Sequence, residues 1–150
     1  MATEWFECKV RYDKPLDSEG LKTKQTTDSY LVDALSFTEA EKRIVEEVTP
    51  FMTGEFIVAD IKRIKISELF ESEDTQADKW YKAKVAFITL DEKSEQEKLT
   101  NHYMFIQATD FKNALQQLDR NMSGNTASYK IVSITETPIL DVYHYETAED

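Results

Sequence analysis

Apolar and polar residues alternate strictly at the start of the chain. From Phe6 to Tyr12 every second residue is apolar, and the residues between them are charged. This alternation predicts a strand with one buried face, because successive side chains in a strand point to opposite sides. After a polar turn, the run Thr23–Ala34 contains Tyr30-Leu31-Val32 and predicts a second strand.

The spacing of apolar residues then changes to that of a helix. Ser36 and Glu39 match a capping box, in which Ser36 accepts from the third helical amide and Glu39 reaches back to the amide of Ser36. Pro50 and Gly54 predict the end of this helix, and the β-branched run 56–66 predicts a third strand. A short edge piece is expected to follow that strand. The apolar stripe of the helix is Phe37, Ala40, Ile44 and Val48.

The same order of patterns returns after about 75 residues. The segment 80–87 matches 5–12, Asp110 stands where Ser36 stood, and a final strand follows in the matching place. Gly124 is placed to end the second helix. An ordered match of strands, cap and helix predicts internal duplication. The second apolar stripe is Phe111, Ala114, Leu115, Leu118 and Met122.

These patterns predict an α+β fold made of two tandem ββαββ repeats. The repeats span residues 4–70 and 79–145, and an acidic linker, 71–78, joins them. A half of this size has a marginal core of its own. We therefore expect residues 1–150 to form a single two-layer domain, with mainly antiparallel sheet, two helices, and Phe37 and Phe111 in equivalent core positions.

Composition narrows the class of protein. The chain has 150 residues, with 29 acidic and 18 basic residues and a net charge of −11. No signal-peptide pattern and no membrane-length apolar run is present, so we expect a cytoplasmic protein that does not span a membrane. The one cysteine, Cys8, excludes an intramolecular disulfide. Its counterpart in the second repeat is Ala83, which favours a small core residue over a reactive thiol.

Motifs for chemistry are absent from the sequence. There is no G-x-S-x-G motif, and neither His102 nor His144 stands near a Ser or Cys in a catalytic pattern. No metal-ligand spacing occurs, and three glycines cannot build a phosphate-binding loop. We therefore expect no catalytic residue, cofactor or metal, and an enzyme is the function class with the weakest support.

Tryptophans and basic residues share one side of the predicted strands. Such a surface can bind single-stranded nucleic acid by stacking and phosphate neutralisation. The competing interpretation is a solvated, lysine-rich strand face, with each tryptophan packed against a neighbouring element. The residues concerned are Trp5, Lys9, Arg11, Lys62, Lys65, Trp80, Lys82 and Lys84.

The first helix has an excess of acidic residues. A solvated helix face is the ordinary explanation, and electrostatic steering toward a basic protein partner is the functional one. We favour a non-enzymatic protein-interaction module, with a nucleic-acid-associated accessory protein as the alternative. The acidic residues are Glu39, Glu41, Glu46 and Glu47.

Four segments resemble a bacterial family defined by a domain of unknown function. They are WFECKVRY at 5–12, YLVDALSFTEAE at 30–41, IKR at 61–63 and FITLDEK at 87–93. The resemblance covers nearly the whole chain. It implies a stand-alone cytosolic protein of bacterial or phage origin, of a kind found largely in gut anaerobes. It assigns no catalytic or binding residue.

Overall fold

The computed structural model describes residues 3–145 and contains the ββαββ order twice. The predicted α+β fold with two helices and ββαββ units is confirmed. A one-turn 3-10 helix, Thr49–Phe51, follows the first α-helix. The first repeat consists of β1 (Glu4–Pro15), β2 (Thr23–Ala34), α1 (Phe37–Val48), β3 (Phe56–Ile64) and β4 (Glu68–Phe70), and the second of β5 (Lys79–Leu90), β6 (Glu97–Ala108), α2 (Phe111–Met122), β7 (Ser128–Glu136) and β8 (Ile139–Tyr143).

The strands form two mixed sheets that exchange their last strand. The strand orders are β3-β1-β2-β8 and β4-β6-β5-β7. Within each sheet the first three strands of one repeat are antiparallel, and the fourth strand is parallel to its neighbour and comes from the other repeat. Thus β8 completes the sheet of the first repeat, and β4 completes that of the second.

The chain accordingly divides into two compact units. Unit 1 runs as far as Lys65 and resumes at Pro138, whereas unit 2 spans Ile66–Thr137. The acidic segment 71–78 connects β4 to β5 and belongs to unit 2. The unit boundary precedes this segment because β4 already pairs with β6.

The edge strands β3 and β7 contain a bulge at the same place. The pairing of β1 with β3 shifts after Lys9 and leaves Ala59 as the extra residue. The pairing of β5 with β7 shifts after Lys84 and leaves Val132 as the extra residue. A bulge twists an edge strand and makes it a poorer template for pairing with another chain.

The two helices begin with the same pair of hydrogen bonds. The amide of Glu39 donates to Ser36 Oγ at 3.1 Å, and the amide of Asn113 donates to Asp110 Oδ1 at 2.8 Å. In each helix a second hydrogen bond runs from the backbone to the side chain of the third helical residue. Its donor is the amide of the residue before the N-cap, whereas the capping-box pattern predicts the amide of the N-cap itself. Glu39 Oε1 accepts from Leu35 N at 2.8 Å, and Asn113 Oδ1 accepts from Thr109 N at 3.1 Å.

Each helix covers one face of its own sheet. On α1, Ala40, Ile44 and Val48 are fully buried against the apolar side of the sheet, which includes Phe6 and Val10. On α2 the equivalent residues pack against the apolar side of the second sheet. They are Ala114, Leu118 and Met122.

Phe37 and Phe111 lie in equivalent positions, but their predicted burial in the core is wrong. They are 45% and 54% exposed, respectively. Each is the first residue of its helix, and its ring contacts one aromatic ring of the sheet edge-on. The ring of Phe37 lies 4.9 Å from that of Phe6, and the ring of Phe111 lies 6.4 Å from that of Tyr81.

Candidate functional site

In unit 1, the predicted tryptophan-lysine surface lies on the sheet face that points away from α1. Trp5, Lys9 and Arg11 alternate with the buried residues of β1 and therefore occupy this face. Lys9 and Arg11 are exposed, while Trp5 is half-buried and meets the ring of His144 edge-on at 5.4 Å. The tryptophan thus packs against a neighbouring segment of its own unit.

The strand register places a carboxylate opposite two of these cations. Lys9 pairs with Asp60, and Glu7 pairs with Lys62. Directly opposite side chains in a sheet lie about 5 Å apart at their Cβ atoms, so each cation is offset by a neighbouring anion. Lys65 follows the end of β3 and is exposed. This face is of mixed charge and not a continuous basic surface.

In unit 2, the corresponding tryptophan is buried. Trp80 is only 3% exposed, so no open ring face is available for a base to stack on. Lys82 is exposed and its Nζ lies 4.7 Å from the ring centre of Tyr103, whereas Lys84 is half-buried. The eight residues of the predicted surface therefore fall into two groups, five in unit 1 and three in unit 2.

An open cleft lies beside α1 in unit 1 and has a volume of about 560 Å³. One wall is the helix and the other is the segment that follows β8. We call it the α1 cleft. Its lining includes Glu39, Lys42, Arg43, Glu46, Glu47 and Tyr145.

Arg43 fixes the two walls of the α1 cleft together. Its guanidinium donates to the backbone carbonyls of Asp33 and His144, and it lies 5.5 Å from the ring centre of Tyr145. The guanidinium is therefore engaged with the wall of the cleft. Glu39 is likewise engaged, because it accepts from the amide of Leu35 at 2.8 Å.

Glu46 and Glu47 supply the remaining negative charge of the α1 cleft. Within residues 3–145 an ion pair joins Arg63 to Glu4 at 2.5 Å, and neither Glu46 nor Glu47 forms one. On the neighbouring strand, burial is the main cause that raises the pKa of Tyr143 to about 12, with smaller contributions from Asp141, Tyr30 and Glu47.

The equivalent surface of unit 2 has a different charge. Arg120 and Asn121 of α2 take the places of Glu46 and Glu47. The buried stripe is the same in both helices, whereas the acidic pair is specific to α1. Sequence reasoning identified the acidic residues of α1, but it could not show that three of them line a cleft whose other wall includes Tyr145.

A second cleft, of about 520 Å³, lies in unit 2 at the edge where β4 joins β6. It brings Ser67 and His102 together, with 3.1 Å between Ser67 Oγ and His102 Nδ1. Sequence reasoning missed this pair because the two residues are distant in the chain and match no motif. The pair arises from the strand exchange, because the segment leading into β4 comes from the first repeat.

The Ser67–His102 pair contains two of the residue types found in a catalytic triad. A triad also needs a group that orients the histidine and donors that stabilise an oxyanion. Within residues 3–145, the other contact of His102 is the edge-on ring of Phe87 at 4.9 Å. Asn121 also lines this cleft, and its side-chain Nδ2 donates to the backbone carbonyl of Gln117 at 2.8 Å. The pair therefore anchors the segment before β4.

Cys8 has the environment of a core residue. Its side chain is fully buried between β1 and α1. Burial, followed by the charges of Glu7 and Asp60, raises the pKa of the thiol to about 12. The reactive thiolate is therefore suppressed near neutral pH.

The described part of the chain lacks a metal-binding cluster and a membrane-spanning helix. Across 3–145, no three His, Cys, Asp or Glu side chains are grouped so that they could hold a metal ion. Neither helix in that part of the chain has the length and apolar character needed to cross a membrane.

Comparison with known proteins places the chain in a family. No curated protein matches it. A family model, described as a domain of unknown function (DUF4494), matches residues 4–145 and so includes both repeats. The predicted resemblance to a family defined by a domain of unknown function is thereby confirmed. The chain belongs to the DUF4494 family.

Proposed function

We propose that the protein is a non-enzymatic interaction module that binds a basic segment of a partner protein in the α1 cleft. The observation that carries this proposal is the position of Glu46 and Glu47. Both carboxylates line an open cleft, and neither is paired with a cation of residues 3–145.

The lining of the α1 cleft suits a basic side chain better than a small apolar ligand. Small-molecule pockets are mostly apolar with a few polar groups, whereas this lining holds three carboxylates and two cations, Lys42 and Arg43, and is net acidic. The ring of Tyr145 already contacts a cation of its own chain, the guanidinium of Arg43. The two carboxylates are therefore the groups that hold the basic segment in this proposal.

Charge supports the same partner class at longer range. A net charge of −11 attracts basic proteins and repels polyanions. At physiological salt this attraction is screened beyond roughly 8 Å, so it speeds the encounter, while the cleft provides the contacts that hold the complex.

A peptide titration tests the proposal directly. A fluorescent oligolysine peptide is added to the full chain, and binding is followed by anisotropy at low and at physiological salt. Replacing Glu46 and Glu47 by Gln is expected to weaken binding about tenfold, which corresponds to about 1.4 kcal/mol.

The matched control removes two carboxylates elsewhere. Glu41 lies on α1 outside the cleft, and Glu92 lies in the turn after β5. The variant Glu41→Gln with Glu92→Gln has the same net charge as the cleft variant. If both variants bind the peptide equally well, the α1 cleft is not the binding site and the proposal fails.

The nucleic-acid alternative has one feature in its favour. In unit 2, Lys82 and Lys84 face away from α2, and their partners across the strands are the uncharged residues Phe105, Thr135, Tyr103 and Ser133. The burial of Trp80 and the carboxylates opposite Lys9 and Lys62 oppose it.

Salt-dependent binding of single strands decides this alternative. We expect no measurable binding of single-stranded DNA or RNA to the full chain at physiological salt. Micromolar binding that weakens with salt and disappears when Lys82 and Lys84 are replaced by Glu would favour the alternative, because phosphate contacts are salt-dependent.

A further inference from the structure

The connection between β7 and β8 consists of Thr137 and Pro138. Both the backbone N and Oγ1 of Thr137 donate to the carbonyl of Trp80, at 2.9 and 2.8 Å, so the start of the connection is tied to unit 2. Proline fixes its own φ and disfavours the helical region for the residue before it. A connection this short and stiff directs β8 out of the sheet that precedes it.

In unit 1, β8 is the fourth strand of a sheet whose other three strands come from the first repeat. It pairs in parallel with β2, from Ser29 to Val32. Ile139 is buried, and the ring of Tyr143 stacks on that of Tyr30 at 5.8 Å. These contacts are with the first repeat, although β8 itself follows the second.

We infer that β8 is an exchangeable arm and that the partner it fits is a second copy of this chain. In that assembly, the β8 of each copy pairs with the β2 of the other, and the two copies close into a dimer. Every contact of β8 with β2 is the same within one chain and between two chains, which is the condition under which domain swapping occurs at low cost.

The choice between the two forms depends on concentration. A short flexible connection gives an effective concentration on the order of millimolar, and the stiff connection before β8 holds the strand near its own β2 at least as well. The chain is therefore a monomer when it folds in dilute solution. Exchange between copies competes when chains refold together at about that concentration.

A disulfide between copies tests this inference. Ser29 and Ile139 are partners in the strand register. One chain carries Ser29→Cys and a second, longer tagged chain carries Ile139→Cys; both carry Cys8→Ala, as Ala83 occupies the equivalent place. The two are unfolded together, refolded at increasing concentration and oxidised. We expect a covalent heterodimer whose yield rises with concentration.

Two controls make the outcome decisive. A single chain with both new cysteines should close its disulfide within itself in dilute solution, which shows that the substitutions are compatible with the fold. A chain with Thr135→Cys, placed on β7 before the connection, should give no heterodimer with the Ser29→Cys chain. Equal yields from Thr135→Cys and Ile139→Cys would overturn the inference.

Light scattering of the unsubstituted chain gives an independent measurement. After refolding at about millimolar concentration, we expect a dimer that persists on rapid dilution. A monomer at every refolding concentration, together with no heterodimer in the disulfide experiment, would show that β8 pairs only within its own chain.

Discussion

Units 1 and 2 have the same interior and different surfaces. Each has a four-stranded mixed sheet, a helix with a reciprocal N-terminal hydrogen-bond pair, and a bulge in the edge strand that follows its helix. At the surface, Glu46 and Glu47 of α1 correspond to Arg120 and Asn121 of α2. Burial constrains the first set of features, whereas the second set is free to change with function. The comparison therefore separates what holds this fold together from what each unit presents to a partner.

The largest effect is expected at the centre of each helix. Ile44 and Leu118 are equivalent and fully buried. Replacing either by Ala should lower the free energy of unfolding by roughly 2–5 kcal/mol, because a cavity is left in a packed core. Urea unfolding measures both losses. Glu41→Ala, on the exposed side of α1, should change stability by about 0.5 kcal/mol or less. A loss below about 1 kcal/mol at only one of the two core sites would disprove their equivalence.

Alkaline pH should affect unit 1 more than unit 2. The pKa values of Cys8, Tyr12 and Tyr143 are each raised to about 12 in unit 1, chiefly by burial. In unit 2, burial raises the pKa of Tyr81. A group with a raised pKa stabilises the fold fully below its unfolded pKa, and this contribution is lost as the pH rises.

For Cys8 the unfolded thiol titrates near 9.0, so the loss begins there and continues to about 12. At pH 10 it amounts to about 1.4 kcal/mol from this residue alone. Urea unfolding at pH 8 and pH 10 measures the difference, and Cys8→Ala should make the decline with pH shallower. An unchanged decline in that variant would mean that the thiol is not the group responsible.

Replacing the first residue of either helix should lower stability by less than replacing a fully buried residue, and by different amounts in the two helices. Phe37→Ala and Phe111→Ala should each cost roughly 1–3 kcal/mol, about half the value for a fully buried phenylalanine. We expect the larger loss at Phe37, which has the closer ring contact and lies 5.1 Å from the guanidinium carbon of Arg63. Thermal or urea unfolding of the two variants ranks them. A larger loss at Phe111 would reverse this part of the comparison.

The helix caps should have the smallest effect. Ser36→Ala and Asp110→Ala should each cost about 1 kcal/mol, because one amide of the first helical turn loses its acceptor. Exchanging the two caps, with Ser36→Asp and Asp110→Ser, should change stability by only about 0.5 kcal/mol, since both residue types are good caps. A loss of several kcal/mol on exchange would show that the two helix starts are not interchangeable.

The local features of this fold are predictable from sequence. Alternation identifies β1, and Ser36 and Asp110 mark the helix starts, because these signals depend on neighbouring residues. The partner of an exit strand is not predictable in this way. The patterns of residues 68–70 and 139–143 indicate strands, but nothing in them specifies which sheet they join. The Ser67–His102 contact was missed for the same reason.

Burial at the ends of a stripe is also poorly predicted. Phe37 has the right period for the core of α1, yet helical spacing gives the direction of a side chain and not the extent of the sheet beneath it. For the candidate site, the sequence identified the acidic residues of α1. The wall formed by residue 145 depends on the strand exchange, which is a property of the whole chain.

The position of β8 in the chain has a consequence for the order in which the protein is completed during translation. Unit 2 is made of consecutive residues and can be finished once Thr137 has emerged from the ribosome. Unit 1 begins first, but its sheet stays open at β2 until residues 139–143 arrive. Domains usually fold in the order of their synthesis. Here the unit that is started first is finished last, and the unpaired edge of β2 has to be kept from other strands throughout that interval.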